Sequence, residues 1–348
     1  MLDILTKKDE WDRTIKEFAK VDFYHFHDYH RANLKPGENA QLILYRNHGI
    51  SIALPIVVRP IEDSGYFDVT SVYGYVGPLY KGVPEWSVLK EWQELLHRYF
   101  SDQGIVSAFS SLNPFLPDQA NLLKGFGEIE DLGQIVYVDL TKSEDEQFAA
   151  YSATTKRYVK RNSRLFSVRE GKSERDVQHF LDLYYQSMDR IQAEPQYYFG
   201  SAYFLELLRT ENFDARFVFA HARESGEVAA GALIVTTNGH IVQYHLSGTS
   251  EKYRDLSPIR TVIDHVREQE ASKGCKVFNL GGGVGSSHDT LYGFKASFSS
   301  ESMPFKIWKY IVDRPMYDRL CAEYVPDPNQ GKPNYFPRYR SHARTVQR

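Results

Sequence analysis

The sequence predicts an α/β protein of two domains built on mixed sheets, and three observations predict it. The chain has 348 residues, beyond the roughly 250–300 at which a single hydrophobic core stops growing. Hydrophobic residues make up 42 % and charged residues 25 %, an ordinary soluble composition. The order of elements read in the first half, hairpin, strand, helix, strand, returns in the second.

Taken in order, MLDILTKKDEWDRTI reads as an amphipathic helix. HFHDYH follows, with His25, His27 and His30, and reads as a polar helix end because metal-ligand spacing and a second ligand motif are missing. QLILYRN, a His48-Gly49 turn and ISIALPIVVRP then form a hairpin, followed by strand-like YFDVTSVYGYVGPL, a helix from Pro84 to about Gln103, and strand IVSAFS. In the second half ARFVFAHAR and VAAGALIVTT make the hairpin, Asn238-Gly239 turns into HIVQYHLSGT, a helix follows Ser257-Pro258, and KVFNL is the closing strand. From Gln41 to Ile105 is 64 residues, and from Ala215 to Lys276 is 61. Pro84 and Pro258 suit the first helical position, and Ser257 suits the N-cap of the second helix.

Between the repeats, VYVDL is a strand and the next helix carries Lys156, Arg157, Lys160, Arg161 and Arg164. Spacings of three and four place the last four along one face. That face is either a solvated helix surface or a clamp for phosphate.

A net charge of −3 and a pI near 6.5 exclude coating of nucleic acid or anionic membrane through bulk charge, so any such partner is held locally. Two cysteines, Cys275 and Cys321, give neither a disulfide framework nor a thiol metal site and suggest a reducing compartment. No run of eighteen apolar residues occurs, and a cytoplasmic location is expected. GGGVG fails as a dinucleotide fingerprint because His288 stands where the third glycine belongs. P-loop, HExxH and paired-cysteine patterns are missing, so neither a cofactor nor a metal is expected.

Chemistry concentrates between residues 244 and 298. An amine attacking an acyl carbonyl needs a positioned carbonyl and positive charge where the oxyanion forms. The strand containing Tyr244 ends beside a helix start, and Gly281, Gly282 and Gly283 close the next strand, either as a tight turn or as backbone bare enough for a substrate. SSHDTLYGFKASF reads as a short helix with Leu291, Phe294 and Phe298 on one stripe and Asp289 three after Ser286, as in a capping box. Lys295 at the edge of that stripe is either a snorkelling surface lysine or a fixed positive charge among aromatics. The tail, with Arg338, Arg340, Arg344 and Arg348 among tyrosines, is either a loose end or a holder of nucleic acid.

VTSVYGYVGP, FLDLYYQSMDRIQAEPQYYFGSAYF, YHLSGTSEKYRDLSP, FNLGGG and DTLYGFKASF, in that order, resemble the Fem family of aminoacyl transferases. They also resemble related acetyltransferases found with polysaccharide synthesis; both groups belong to the GNAT superfamily. The resemblance implies two tandem GNAT-like domains with a cleft between them. Residues 1–150, joined by 313–348, would be the first, and 151–312 the second, carrying the chemistry. Matched residue by residue, it implies Phe294 and Lys295 at the reacting end of the donor, Tyr244 as the tyrosine of the family's YHLSG strand, Arg190 on acceptor phosphate, and Tyr197 or Tyr198 on the same wall. Where coenzyme A-dependent relatives carry a glycine-rich turn, this chain has Arg254, Ser257, Pro258 and Ile259, which disfavours that donor.

The expected activity is transfer of an aminoacyl group from tRNA to an amine of a cell-envelope sugar or peptide precursor. Lys295 stabilises negative charge, Asp289 is the candidate general base, and Arg157 and Arg161 are candidate phosphate ligands. Contact with a lipid-linked substrate at a membrane surface belongs to the same expectation. The rivals are an acyl-coenzyme A-dependent transferase acting on an amino sugar, and a silent binding module for a nucleotide sugar or RNA.

Overall fold

The computed structural model describes residues 1–116, 118–283, 285, 288–327 and 334–341. The chain falls into two units, residues 1–131 with 306–348, and residues 132–305. Both junctions lie inside strands. Strand β7 (Glu128–Asp139) and strand β13 (Ser302–Ile311) each begin in one unit and end in the other.

Unit 1 contains β1 (Leu2–Leu5), α1 (Lys8–Ile15), α2 (His27–Asn33), β2 (Asn39–Asn47), β3 (Ile50–Pro60), β4 (Phe67–Thr70), β5 (Leu79–Lys81), α3 (Trp86–Asp102), β6 (Ile105–Ser111), α4 (Gln119–Leu122) and, after β13, α11 (Arg314–Tyr324). Its strands run in the order β1-β2-β3-β4-β6-β13, with β5 sharing the β3 edge. Among the described pairings in this unit, β4 and β6 are the parallel neighbours. Trp92, Leu96 and Phe100, spaced by four on α3, pack with Ile43, Leu54 and Trp308 in the core.

Unit 2 repeats the plan with α5 (Glu144–Ala149), α6 (Ala153–Leu165), β8 (Phe166–Gly171), α7 (Glu174–Arg190), α8 (Ser201–Arg209), β9 (Asp214–Ala222), β10 (Val228–Thr237), β11 (Ile241–Thr249), α9 (Ile259–Ser272), β12 (Val277–Gly281) and α10 (Thr290–Ala296). Here the order is β8-β9-β10-β11-β12-β7. Among the described pairings here, β11 and β12 are the parallel neighbours. Val262, Ile263 and Val266 of α9 bury against Val218, Ile234, Val242 and Phe278 of the sheet.

Local readings needed correction at four places. The first five residues are not helical: Leu2–Leu5 pairs antiparallel with Leu42–Tyr45, and the helix starts only at Lys8. Pro84 precedes Glu85, the N-cap of α3, and Pro258 is itself the N-cap of α9. Ser257 adopts the left-handed conformation, φ 50°, and closes a 3-10 turn (Glu251–Leu256) instead of capping α9. The tail folds at Arg338–Arg340, where Arg340 reaches the fully buried Asp68 and donates to Pro60 O at 2.7 Å. Arg344 and Arg348 lie outside the described residues. Among the described residues no helix is long and apolar enough to cross a membrane, and no His/Cys/Asp/Glu group is arranged to hold a metal.

The histidine-rich segment is structural. His25 bonds through Nδ1 to Asp22 O at 3.0 Å and through Nε2 to Val76 O at 3.0 Å, and His30 Nε2 meets Tyr24 O at 2.9 Å. Burial pushes His25 down to about 4 and His30 to about 3. Because the unfolded chain takes up these protons near pH 6.5, stability is complete above that value and is lost as pH falls toward 4 and 3. Thermal midpoints measured from pH 7.5 to 4.5 should decline below about pH 6.5, and His30→Gln should flatten the decline; a flat native profile would contradict this.

Candidate acyl-transfer site

The site grows from a fork in the sheet of unit 2. The parallel ladder between β11 and β12 covers three pairs, Ile241 with Val277, Val242 with Phe278 and Gln243 with Asn279. Each strand bulges at that point. Opposite β10, Leu246 and Tyr244 face consecutive residues, leaving His245 extra, and opposite β7 the same happens at Leu280. A bulge bends its strand and re-aims side chains, so the two strands part while β11 runs on to Thr249. Asn279 Nδ2 bridges the crotch to Gln243 Oε1 at 2.8 Å, and Asn279 Oδ1 accepts from Gly281 N at 2.8 Å.

Where β12 leaves the sheet, Gly281 has φ +81°, a conformation only glycine adopts cheaply. A Cβ on Gly282 would lie 2.9 Å from Gln134 O. Gly283 closes this described stretch.

Helix α10 brings the lysine to that turn. The expected cap, Ser286, lies outside the described residues; Asp289 itself is the N-cap and accepts from Tyr292 N at 2.8 Å. Leu291 faces outward at 39 % exposure, while Phe294 and Phe298 pack inward. Lys295 is partly buried, and its Nζ donates to Gly282 O at 2.7 Å. Burial pulls Lys295 down to about 8, against the opposing pull of the Asp289 carboxylate. The lysine, Phe294, Asp289 and the glycine turn therefore form one cluster.

Tyr244 lies at the bulge with its ring against the core, and burial raises its phenol above the ordinary value. His245, the extra residue, points to other partners: its Nε2 meets Tyr203 Oη at 2.7 Å, and burial pushes it to about 3.

Sequence reading passed over Arg260. It sits in the first turn of α9 and donates to Thr155 Oγ1 and, at 2.8 Å, to Ser297 Oγ. Its guanidinium lies 4.7 Å from the Phe294 ring centroid, 5.4 Å from Phe298 and 5.5 Å from Tyr158. Burial lowers its pKa from the ordinary arginine value. Its Nε is buried without a hydrogen-bond partner, and no carboxylate lies within 4 Å among the described residues. Only closure of α6 and α10 onto α9 reveals this.

The α9 start has few amides left to offer. Pro258 has none, while Arg260 N and Thr261 N donate to Ser257 O at 3.1 Å and Pro258 O at 3.0 Å. On α6 the buried face is Thr155, Val159 and Asn162, and Arg157, Lys160, Arg161 and Arg164 are exposed. Arg161 donates to Leu256 O at 2.9 Å and stacks 4.5 Å from Tyr158.

Arg190, Tyr197 and Tyr198 form a second group around the end of α7. Arg190 is engaged, donating to Glu251 Oε2 at 2.9 Å and Ser187 Oγ at 3.2 Å. Tyr198 donates to Asp189 Oδ1 at 2.8 Å, and Tyr197 O accepts from Tyr184 Oη at 2.6 Å.

Residues 149–295, which contain the fork, α9 and α10 up to Lys295, match the model of the acetyltransferase (GNAT) domain family. This stretch is what the chain shares with that family. Across both units the GNAT architecture is similar to the crystal structure of FemX, with a TM-score of 0.69 at 14 % identity, over 91 % of this chain and 99 % of that one. It is also similar to the C-terminal domain of a putative lysylphosphatidylglycerol synthetase from Agrobacterium fabrum, with a TM-score of 0.53 at 14 % identity over 87 % and 92 % of the two chains. A tandem GNAT protein from the clavulanic acid biosynthesis pathway aligns with a TM-score of 0.51 at 10 % identity, over 90 % and 99 %. At such identities the likeness is one of fold, and that fold is the tandem GNAT, Fem-type arrangement. No curated protein matches the chain by sequence.

Proposed function

We propose that this GNAT protein transfers an aminoacyl group, carried as an ester on tRNA, to an amine of a cell-envelope sugar or peptide precursor. The carrying observation is Lys295, a desolvated ammonium held at the open end of the β11/β12 fork by Gly282 O. In this reading the acceptor amine attacks the ester carbonyl, a C–N bond forms, and charge gathers on the carbonyl oxygen beside Lys295. The C–O bond then breaks, the ribose hydroxyl leaves with a proton, and the amine loses one. Asp289 favours the charged form of Lys295, and its position beside the cluster makes it the proposed acceptor of the amine proton. Arg190, with Tyr197 and Tyr198, is the proposed anchor for acceptor phosphate, released from Glu251 on binding. These donors and acceptors place the reaction on the cytoplasmic side of the envelope.

The donor choice rests on the start of α9. Coenzyme A pyrophosphate is ordinarily gripped by free amides at a helix N-terminus, and here proline and two short backbone bonds remove most of them. The acetyltransferase description of the matching family favours the rival, an acyl-coenzyme A that acylates an amino sugar. Purified protein supplied in parallel with labelled aminoacyl-tRNA and labelled acetyl-coenzyme A, each with an envelope-precursor amine, separates them. Label transfer from the charged tRNA is expected; transfer from coenzyme A alone would overturn the donor.

A further inference from the structure

We infer that the cationic face of α6, continued inward by Arg260, is the surface on which a single-stranded RNA end lies. The inference rests on the tRNA donor proposed above and assigns it a path. Lys156, Arg157, Lys160, Arg161, Arg164 and Arg260 make no ion pair with any described carboxylate, whereas Arg46, Arg169, Arg216, Lys252 and Arg267 do. Asp255, on the neighbouring 3-10 turn, pairs with none of them. Six positive charges outside any such ion pair, in a chain of net charge −3, favour a polyanion locally.

The face also has the chemistry of a nucleotide path. From residue 157 to residue 164 the helix rises about 10 Å, long enough to meet successive phosphates of one strand. Tyr158 lies among three guanidinium groups, Arg157 at 5.8 Å, Arg161 at 4.5 Å and Arg260 at 5.5 Å from its ring. Bases stack on such aromatic and guanidinium planes without regard to sequence. Direction comes from Arg260, which rests on Phe294, the residue before Lys295. A strand following these cations toward Arg260 brings its terminal ribose to the lysine. An anionic bilayer fits the face less well, because membrane-surface helices set large apolar side chains beside their cations, and Leu165 is the one such residue exposed on α6 among the described residues.

The test uses the full chain and the triple variant Arg157→Gln/Lys160→Gln/Arg164→Gln, whose exposed side chains make no hydrogen bonds that hold the fold. Three probes are titrated by fluorescence anisotropy: an RNA hairpin ending in single-stranded CCA, coenzyme A, and vesicles of phosphatidylglycerol with phosphatidylcholine. Native protein should bind the RNA. The variant should bind it at least about tenfold more weakly, and the slope of log affinity against log salt should shrink by about 2, or 0.7 for each lost cation. Equal affinity and slope would overturn the surface while the tRNA reading stands on the transfer assay. RNA left unbound by the native chain, or coenzyme A or vesicles bound through these side chains instead, would also overturn it, and transfer from coenzyme A alone would remove the tRNA reading as well.

Discussion

Replacing Lys295 by methionine should lower turnover at least about tenfold, as loss of a charge aimed at a developing oxyanion does, and should leave the protein no less stable. The two outcomes have one cause. Desolvation pulls this ammonium from 10.5 down to about 8, so at neutral pH the folded chain holds a charge its surroundings disfavour, at a cost on the order of 3 kcal/mol. Its bond to Gly282 O at 2.7 Å returns about 1 kcal/mol. Methionine fills the same stem volume without the charge, so the thermal midpoint at pH 7 should hold or rise. The native protein should also gain stability from about pH 8 to 10.5, where the unfolded chain keeps a proton that the folded lysine has shed, and the variant should not. Turnover of the native enzyme should fall as pH passes about 8 and the ammonium disappears, a limb missing from the variant's residual rate. Undiminished turnover in the variant would assign the oxyanion to another group.

The duplicated plan was legible because its punctuation is local. His48-Gly49 and Asn238-Gly239 both have positive φ at each residue, 51° and 73°, then 48° and 65°, the values that two-residue hairpin turns demand. The cluster of Lys295 with the three glycines was legible as a motif, since seven helical residues and one turn bring the lysine to Gly282. What stayed hidden depends on partners distant in sequence. Leu2–Leu5 is a strand because β2 offers an edge about forty residues later; alone, its pattern suits a helix. Arg260 looks ordinary until Thr155 and Ser297, 105 and 37 residues away, close around it and, among the described residues, no carboxylate comes with them. Ser257 reads as a cap by residue type, yet the preceding 3-10 turn takes it into the left-handed region. The family resemblance implies Arg190 as a phosphate grip, and its pairing with Glu251 depends on the turn after β11.

Asp68→Asn should cost unit 1 about 3–5 kcal/mol, the range expected when one partner of a buried ion pair is removed. Asp68 is fully buried and meets Arg59 Nε at 2.8 Å, Tyr339 Oη at 3.2 Å and the Arg340 guanidinium. Burial alone would lower the Arg340 pKa, but Asp68 raises it, so the carboxylate is what keeps that charge in place. Asparagine preserves shape and leaves two guanidinium groups facing a neutral amide. The tail is the weaker side of the contact, because Tyr339 and Arg340 belong to a single short turn. It should therefore detach before the sheet opens, exposing residues 334–341 to limited proteolysis while the denaturation midpoint falls. Arg340→Met should cost less, since Asp68 keeps Arg59, and the double variant should cost clearly less than the sum because both changes break one network. Additive losses with an unaltered cleavage pattern would mean that the tail is held by the packing of Tyr339 against Tyr317, Leu320 and Val106 and that the buried charges contribute little to its docking.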